Sequence, residues 1–467
     1  MKILFCSAEV APFAKTGGMG DVCGALPLAL EKRGIEVAVA LPLYRCIDAK
    51  KFSLEKFSEG ILTTTIGKGI RVYFIENKKY FKRDGLYGDS SGDYEDNFDR
   101  FLFFSRKVLE AAQQAKFKPD IVHCHDWHTA LVPVFIKFLH KKNSFYENTK
   151  SVLTIHNLAY QGIFPKWDFF KLGLPQDLFN INGFEFYDNI NLLKAGILSS
   201  DCVTTVSPGY SKEIQTEEFG CGLEGVIRGR PKPLVGILNG IDYDFWNPQT
   251  DALIAKNYSA KNWKSAKAEN KKKLQKVFGL EKDNTRPLFG FVARLSSQKG
   301  LDLIAQSIDA MMARGVAAVF QGVGDNGYVD LLKHFKRRYP RQIGICLKQD
   351  EAMAHQIFSG ADIFLMPSLY EPCGLSQMIS LRYGTIPLVF KTGGLADTIT
   401  HFNLPGGNGF VFDRYAKSAF MECVEAAVDV YRNEKQFDAL VKGAFACNFS
   451  WEKSALEYQK LYKQCLS

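Results

Sequence analysis

The sequence lacks the long apolar runs and paired cysteines of membrane or secreted proteins. No run of about 18 apolar residues occurs, which excludes a transmembrane helix of ordinary length. The eleven cysteines are odd in number, lie between Cys6 and Cys465 and include no C-x-x-C pair; this is typical of reduced cytosolic thiols rather than a disulfide framework. The N-terminal apolar run is broken by Ser7 and Glu9, too early for a signal peptide. We expect a soluble cytoplasmic protein without a membrane partner.

The composition is otherwise that of a folded protein of several domains. Hydrophobic residues make up 46% and charged residues 23% of the 467 residues, which excludes long disordered segments. At about 150 residues per domain, the length predicts two or three domains. No G-x-x-x-x-G-K-[ST] motif is present, which argues against a P-loop nucleotidase.

Most of the net positive charge lies in one segment. The sequence carries 59 basic and 50 acidic residues, a net charge of +9, and residues 261–276 contain seven lysines and one glutamate. The spacing of Lys261, Lys264, Lys267 and Lys271 predicts one solvent-facing side of a helix. Because no aromatic-rich platform for single-stranded nucleic acid interleaves them, we predict no nucleic-acid partner.

Strand and helix patterns alternate along the first half. Alternating strands and helices predict parallel pairing and a doubly wound α/β sheet. The predicted strands are Lys2 to Ser7, Glu36 to Leu41, Arg71 to Glu76, Asp120 to His125, Ser151 to His156, Cys202 to Ser207 and Leu234 to Leu238. Helical patterns include Val22 to Arg33, Phe98 to Ala115 and Thr129 to Lys141.

The same alternation starts again after the lysine-rich segment. Predicted strands are Leu288 to Ala293, Ala317 to Gln321, Ile343 to Leu347, Ile363 to Met366 and Pro387 to Phe390, with a helix from Leu301 to Arg314. A final helical pattern, Trp451 to Cys465, fits either half. Two α/β domains are the simplest interpretation, and we expect an active site in the cleft between them, beyond the carboxyl ends of the strands.

Two glycine-rich loops each join a strand to a helix. Lys15 to Asp21 reads K-T-G-G-M-G-D, and Lys391 to Asp397 reads K-T-G-G-L-A-D. Glycines let backbone amides approach a ligand closely, and a helix N-terminus attracts anions. With a lysine beside it, the first loop favours a phosphate or sugar phosphate over a simple tight turn.

Two further motifs in the second half carry charged side chains. A-R-L-S-S-Q-K-G places Arg294 and Lys299 just after a strand, where a guanidinium fork and an ammonium suit a diphosphate. E-P-C-G-L places Glu371 where it could accept hydrogen bonds from sugar hydroxyls, followed by the amides of Cys373, Gly374 and Leu375 at a helix start. The alternative for this motif is a capped helix with a solvated acid.

Two other signals are weaker. Gly322 to Gly327 matches G-x-G-x-x-G but lies outside the first βα unit of its half, so it is weak evidence for a dinucleotide cofactor. The cluster His123, His125, Asp126 and His128 lacks zinc-site spacing. We predict no cofactor and no metal.

Taken together, these motifs resemble the bacterial glycogen synthase and plant starch synthase family, which transfers glucose from ADP-glucose to an α-1,4-glucan. The resemblance covers essentially the whole chain. In order, the matching strings are K-T-G-G-M-G-D at Lys15, H-C-H-D-W-H at His123, H-N-L-A-Y-Q-G at His156, S-P-G-Y at Ser207, G-L-E-G at Gly222, L-N-G-I-D at Leu238, A-R-L-S-S-Q-K-G at Ala293, E-P-C-G-L-S-Q at Glu371, L-R-Y-G at Leu381 and K-T-G-G-L-A-D at Lys391.

The resemblance implies a GT-B fold, two Rossmann-like doubly wound domains facing across a deep cleft. An acceptor-side domain would span residues 1–240, with a C-terminal helix at 447–467 crossing back to it. A donor-side domain would span residues 241–446. The expected substrates are ADP-glucose, which is not a cofactor, and glycogen or a maltodextrin.

The resemblance also assigns roles to the matching residues. Arg294 and Lys299 would hold the diphosphate, and His156 and Glu371 would contact the transferred glucose. The other expected binding residues are Lys15, Gly17, Gly18 and Asp21 of the first loop, Tyr94, Asp126, Asn239, Cys373, Gly374 and Leu375. The resemblance also implies that glucosyl transfer retains the anomeric configuration and requires no metal.

Three positions depart from the family pattern. Met19 and Ser376 are mild changes from leucine and threonine, whereas Gln349 stands where bacterial members often carry a tyrosine that stacks on adenine. Alternatives are therefore a UDP-glucose donor or a sucrose- or trehalose-type acceptor. More distant ones are an oxidoreductase using the Gly322 to Gly327 loop and a polysaccharide-binding protein without activity.

Overall fold

A computed structural model of the chain describes residues 1–89 and 91–467. The chain divides into two compact units. The first comprises Met1–Gly240 and Trp451–Ser467, and the second comprises Ile241–Ser450.

The first unit is built on a large, mostly parallel sheet. Its strands are β1 (Lys2–Cys6), β2 (Glu36–Pro42), β3 (Glu55–Ser58), β4 (Ile61–Ile66), β5 (Ile70–Ile75), β6 (Gly88–Asp89), β7 (Gly92–Asp93), β8 (Ile121–His125), β9 (Lys150–Ile155), β10 (Ile163–Pro165), β11 (Glu185–Phe186), β12 (Asn189–Asn191), β13 (Cys202–Thr205) and β14 (Val235–Gly236). Within the described ranges the main sheet has the order β14-β13-β9-β8-β1-β2-β5-β4-β3. Among the described residues of this main sheet, the pairs β5–β4 and β4–β3 are antiparallel. Outside the main sheet, the short pairs β6–β7, β10–β12 and β11–β12 are also antiparallel.

Helices cover this sheet, and the last of them comes from the end of the chain. The helices of the first unit are α1 (Gly18–Glu31), α2 (Lys78–Phe81), α3 (Asn97–Gln114), α4 (Leu131–Phe138), α5 (Leu192–Ser199), α6 (Pro208–Glu213), α7 (Glu224–Arg228) and α16 (Trp451–Leu466). The Tyr462 hydroxyl in α16 lies 2.8 Å from His123 Nδ1, and Ser454 Oγ donates to the Leu238 carbonyl at 2.6 Å. The C-terminal helix thus packs on the first unit from Trp451 onward, and residues 447–450 lie in the second unit.

The second unit contains a parallel sheet with Rossmann topology. Its strands are β15 (Leu288–Val292), β16 (Ala317–Gln321), β17 (Ile343–Cys346), β18 (Ile363–Met366), β19 (Ile386–Phe390) and β20 (Phe410–Phe412). Its helices are α8 (Trp263–Phe278), α9 (Leu301–Ala313), α10 (Asn326–Arg338), α11 (Glu351–Gly360), α12 (Ser376–Arg382), α13 (Gly393–Thr398), α14 (Lys417–Arg432) and α15 (Glu434–Ala446). The sheet order β17-β16-β15-β18-β19-β20 reverses direction beside β15, and ligands of such sheets bind at this switch point.

The two predicted α/β units and their parallel strands are confirmed. Each predicted strand overlaps an observed one, because continuous apolar runs are typical of strands buried on both faces. The antiparallel strands β3 and β4 were not predicted. Their residues are largely half-exposed or exposed, so they lack the apolar run that marks the central strands.

The prediction of one solvent-facing lysine stripe on α8 is wrong for two of its members. Lys267 and Lys271 are 4% and 3% exposed. Lys267 Nζ donates to Thr385 Oγ1 at 2.6 Å and to the Ser359 carbonyl at 3.0 Å, and Lys271 Nζ contacts Asp362 at 2.6 Å. Because each ammonium finds acceptors inside the unit, burial is tolerated, although it lowers the pKa of Lys267 to about 7.

Among the described residues, no helix combines the length and apolar character needed to cross a membrane.

Candidate active site

The first glycine-rich loop is held in place by a buried glutamate. Glu9 is 3% exposed and accepts hydrogen bonds from the Thr16 amide at 2.6 Å, the Thr16 hydroxyl at 2.7 Å and the Gly17 amide at 3.2 Å. The Tyr87 hydroxyl donates to the same carboxylate at 2.7 Å. Two backbone amides of the loop are thus already used by a carboxylate, and neither Glu9 nor Tyr87 was predicted from the sequence.

The residues of this loop that were predicted to bind a ligand are exposed to solvent. Lys15 Nζ lies 2.8 Å from Asp21 Oδ1, and both side chains are about half-exposed. Gly17 and Gly18 are exposed. Gly17 has an extended φ of −158°, and a Cβ added there would meet no atom within 4 Å. Neither backbone strain nor packing requires this glycine, so its missing side chain leaves room for a ligand.

Asp126 and His156 meet beyond the ends of β8 and β9. Asp126 Oδ1 accepts the His156 amide at 2.6 Å. Burial raises the pKa of the Asp126 carboxyl to about 7, against the lowering effect of the His156 and Asn157 amides. Asp126 also has a φ of +55°, a strained conformation for a residue with a side chain. Such strain is concentrated at functional sites.

His156 is a neutral imidazole in this environment. Burial lowers its pKa to about 3. Its Nε2 lies 3.0 Å from Nδ1 of His125, whose pKa burial also lowers strongly. His156 can therefore offer a hydrogen bond to a sugar hydroxyl, but it supplies no positive charge at neutral pH.

The histidines of the sequence cluster have separate environments. His123 is saturated inside the unit, with Tyr462 and Thr154 hydroxyls at 2.8 and 2.7 Å. His128 stacks on Tyr87 with ring centroids 4.5 Å apart. His125 faces His156 instead. The four residues His123, His125, Asp126 and His128 therefore do not act together on one ion in this arrangement.

Tyr94 and Asn239, the two other predicted residues of the first unit, have different surroundings. The guanidinium groups of Arg83 and Arg100 lie 4.8 and 4.9 Å from the centroid of the Tyr94 ring, and the Tyr94 hydroxyl accepts a hydrogen bond from the Gly85 amide at 3.2 Å. Asn239 is 5% exposed, and its side-chain oxygen has no hydrogen-bond partner among the described residues. A buried amide oxygen without a partner is uncommon, which is consistent with a role in binding.

In the second unit, two predicted residues form an ion pair. Lys299 Nζ lies 2.6 Å from Glu371 Oε2, and the side chains are 17% and 9% exposed. The Ser368 hydroxyl donates to the same carboxylate oxygen at 3.0 Å. Lys299 ends a 3₁₀ turn after β15 (Ser297–Lys299), and Glu371 follows β18. Since β15 and β18 are neighbours, their carboxyl ends bring the two side chains together.

Arg294 lies on the same loop as Lys299 but is not paired. Its side chain is exposed, and it makes no hydrogen bond or ion pair with residues 1–89 or 91–467. An exposed guanidinium beside a lysine–glutamate pair offers two donors to an anion such as a diphosphate.

The second K-T-G-G loop packs directly on the E-P-C-G-L motif. The Gly394 amide donates to the Glu371 carbonyl at 3.1 Å, and a Cβ on Gly394 would lie 2.2 Å from the Cys373 carbonyl oxygen. Gly374 has a φ of +70°, followed by Leu375 at the start of α12. Packing thus explains Gly394, whose missing side chain lets this loop lie against the E-P-C-G-L motif.

Packing also explains the first two glycines of the G-x-G-x-x-G match, whereas a Cβ on Gly327 would meet no atom within 4 Å. A Cβ on Gly322 would lie 2.1 Å from the Ala293 carbonyl oxygen, and one on Gly324 equally close to that of Leu295. The loop after β16 thus needs glycine in order to lie against the loop after β15.

Comparisons with known proteins agree along the whole chain. The family model "Starch synthase catalytic domain" matches residues 2–229, and "Glycosyl transferases group 1" matches residues 272–440. The chain is 44% identical to glycogen synthase of Geotalea daltonii, covering 100% of this chain and 99% of that protein. It is 40% identical to glycogen synthase of Thermodesulfovibrio yellowstonii, covering 99% and 97%.

Solved structures show the same relationship. The catalytic domain of starch synthase IV from Arabidopsis thaliana, bound to ADP and acarbose, has a TM-score of 0.92 and 35% identity, covering 99% of each chain. Sucrose-phosphate synthase from Thermosynechococcus elongatus has a TM-score of 0.62 at 16% identity, covering 99% of this chain and 98% of that one, and shares the fold alone. The GT-B fold and glucosyl transfer predicted from the sequence are thereby confirmed, and the chain belongs to the glycogen and starch synthase family of glycosyltransferases.

Proposed function

We propose that the enzyme transfers glucose from ADP-glucose to the non-reducing end of an α-1,4-glucan, with retention of the anomeric configuration, and so elongates glycogen. Support for the acceptor comes from the relatives named glycogen synthase. Support for the adenine nucleotide comes from the Arabidopsis structure, which contains ADP. Sucrose- and trehalose-type acceptors have weaker support, because the sucrose-phosphate synthase likeness extends only to the fold.

The observation that carries this proposal is the unpaired Arg294 beside the Lys299–Glu371 pair. Arg294 binds the diphosphate through its free guanidinium, and Lys299 shares its charge between the diphosphate and Glu371. Glu371 in turn accepts hydrogen bonds from hydroxyls of the transferred glucose. As the bond to the diphosphate breaks, these positive groups stabilise the growing charge, and the amides of Gly374 and Leu375 add to them. Each such donor is worth about 3 kcal/mol.

We further propose that the second unit carries the donor side and the first unit carries the acceptor side. His156 donates a hydrogen bond through Nδ1 to a sugar hydroxyl, and Asp126 positions it by holding its amide. Lys15 supplies a further cation. Tyr94 and Asn239 contact the sugars, and Asn239 does so through its unpartnered amide oxygen.

The reaction requires no metal and no cofactor in this proposal, since fixed cations stabilise the leaving group. A nucleic-acid partner is not proposed, because two of the seven lysines in the basic segment are buried. We place the enzyme in the cytoplasm, where the eleven cysteines, all free thiols, stay reduced.

The donor and acceptor are tested by measuring nucleotide release. ADP-glucose and UDP-glucose are each supplied with glycogen and with short maltodextrins. We expect release of ADP in the presence of glucan and much slower release of UDP. UDP-glucose is the alternative donor, because glutamine stacks poorly on adenine and Gln349 is exposed. Equal or faster turnover of UDP-glucose would favour this alternative.

The role of Arg294 is tested by substitution. Arg294→Ala is expected to lower kcat by about two decades, since it removes a donor worth about 3 kcal/mol. Arg341→Ala is a matched control, because Arg341 is a 74% exposed arginine of the same unit. Full activity of Arg294→Ala would refute the proposed site.

A further inference from the structure

Three side chains of the first unit bring metal-binding atoms together. Cys23 on α1, His125 at the end of β8 and His156 after β9 each offer a nitrogen or sulfur atom, and these atoms lie within 4.8 Å of one another. Cys23 and His125 are fully buried, whereas His156 is partly exposed.

The two imidazoles are already spaced as ligands. His125 Nδ1 and His156 Nε2 are 3.0 Å apart, close to the separation of about 3.3 Å between two nitrogens of a tetrahedral zinc site with bonds of about 2.0 Å. The second ring nitrogen of His125, Nε2, is buried and has no hydrogen-bond partner among the described residues. A cation held by Nδ1 of His125 leaves this nitrogen unpartnered, so the site is defined by the spacing between His125 Nδ1 and His156 Nε2.

Burial raises the pKa of the Cys23 thiol and lowers the pKa values of His125 and His156, while two buried carboxylates lie close enough to act on the thiol. Glu9 and Asp126 are 3% and 7% exposed, and both act electrostatically on the Cys23 thiol. One thiolate and two imidazoles are the ligands that select zinc and similar soft divalent cations over Mg²⁺ or Ca²⁺.

We propose that Cys23, His125 and His156 form an inhibitory site for a thiophilic divalent cation, with Zn²⁺ as the representative ion. Three protein ligands and one water complete a tetrahedron around it. The thiol proton of Cys23 passes to the solvent when the sulfur–metal bond forms, and no atom is oxidised or reduced. Small side-chain rotations bring the three ligand atoms, which lie within 4.8 Å of one another, to bonding distances of about 2.3 Å for sulfur and about 2.0 Å for nitrogen.

Inhibition is expected because His156 is also proposed to donate a hydrogen bond to a sugar hydroxyl of the substrate. This step therefore rests on the proposed function. A metal on His156 withdraws the imidazole from the sugar hydroxyl that it is proposed to contact. The metal is thus an inhibitor of this enzyme and not a cofactor, and removing it with a chelator restores activity.

Binding is tested on the full chain after treatment with a chelator. Co²⁺ serves as the spectroscopic probe, because a bound thiolate gives a near-ultraviolet charge-transfer band. We expect one equivalent of Co²⁺ to produce this band and Zn²⁺ to displace it. Cys23→Ser is expected to lose the band and to weaken Zn²⁺ binding more than about 100-fold. Cys423→Ser, another buried cysteine but on α14 of the second unit, is expected to behave like the unsubstituted chain.

The outcomes separate this inference from the proposed function. Absence of the band, or its persistence in Cys23→Ser and in a parallel Cys23→Ala variant with native circular dichroism, would overturn the site. Metal binding without inhibition of glucosyl transfer would overturn the inhibitory role. Failure of the chain to use any glucose donor would instead count against the proposed function, and the Co²⁺ measurement would be unaffected.

Discussion

Substitutions in the ion pair between Lys299 and Glu371 distinguish an effect on the free energy of unfolding from an effect on the rate of glucosyl transfer. In Glu371→Gln the side chain keeps its shape and loses its charge. Lys299, only 17% exposed, is then left without its partner. We expect this variant to lose both stability and activity.

The size of the stability loss follows from the geometry. At 2.6 Å and an effective dielectric constant of 20, the gross Coulomb attraction is about 6 kcal/mol. Much of it is cancelled by desolvation, and breaking a largely buried pair costs roughly 3 kcal/mol. With a urea dependence of about 3 kcal/mol per molar, the unfolding midpoint shifts down by about 1 M.

The double variant Lys299→Met with Glu371→Gln restores charge balance with side chains of similar size. We expect its stability to return to within about 1 kcal/mol of the native chain, since neither charge is left unpaired. Its kcat should remain at least about two decades low, because both groups act on the donor. Urea unfolding and nucleotide release measure the two quantities on the same preparations.

Glu281→Gln is the matched control. Glu281 is 41% exposed and lies 3.2 Å from Arg286 in the same unit, so its loss should cost less than about 1 kcal/mol and leave activity intact. Two results would refute the reasoning. One is a Glu371→Gln variant with native stability, and the other is a double variant with native activity.

Three further predictions concern other parts of the molecule. Burial lowers the pKa of Lys267 to about 7, so between pH 7 and 10 the unfolded chain binds a proton that the folded chain has released. The unfolding free energy should therefore rise with pH by about 1.4 kcal/mol per unit relative to Lys267→Met, and parallel pH profiles would contradict this. Gly17→Ala should unfold within about 0.5 kcal/mol of the native chain but show a higher KM for ADP-glucose, and an unchanged KM would show that no ligand approaches Gly17. EDTA should leave glucosyl transfer intact in metal-free buffer, whereas loss of activity restored by Mg²⁺ or Mn²⁺ would show that the reaction needs a metal.

The sequence predicted those parts of the structure in which a physical constraint, such as burial of a strand on both faces, leaves a pattern in neighbouring residues. Parallel strands buried on both faces must be apolar throughout, so β1, β8 and β15 are visible as apolar runs. Ligands of α/β sheets bind at the loops that follow such strands, which is why Arg294 and Glu371 were predicted as site residues without a structure. The motif strings, taken together, indicated the family.

Side-chain partners were less predictable, because they depend on residues far apart in the chain. The spacing of Lys267 and Lys271 is that of a helix side, and nothing local shows that acceptors around residues 359–385 receive both ammonium groups. Likewise, Glu9 precedes the K-T-G-G loop as an unremarkable acid, and only the fold turns it back onto the Thr16 and Gly17 amides.

Sequence alone thus determined the fold class, the order of its elements and the chemical character of the loops, because these depend on periodicity and residue type over short distances. Tertiary structure decided which charges are paired and which are free, and it placed Cys23 beside His125 and His156. The physical reason is that pairing and burial are set by where strands and helices cross, and those crossings join positions as far apart as Lys299 and Glu371, which are 72 residues apart, or Lys267 and Thr385, which are 118 residues apart.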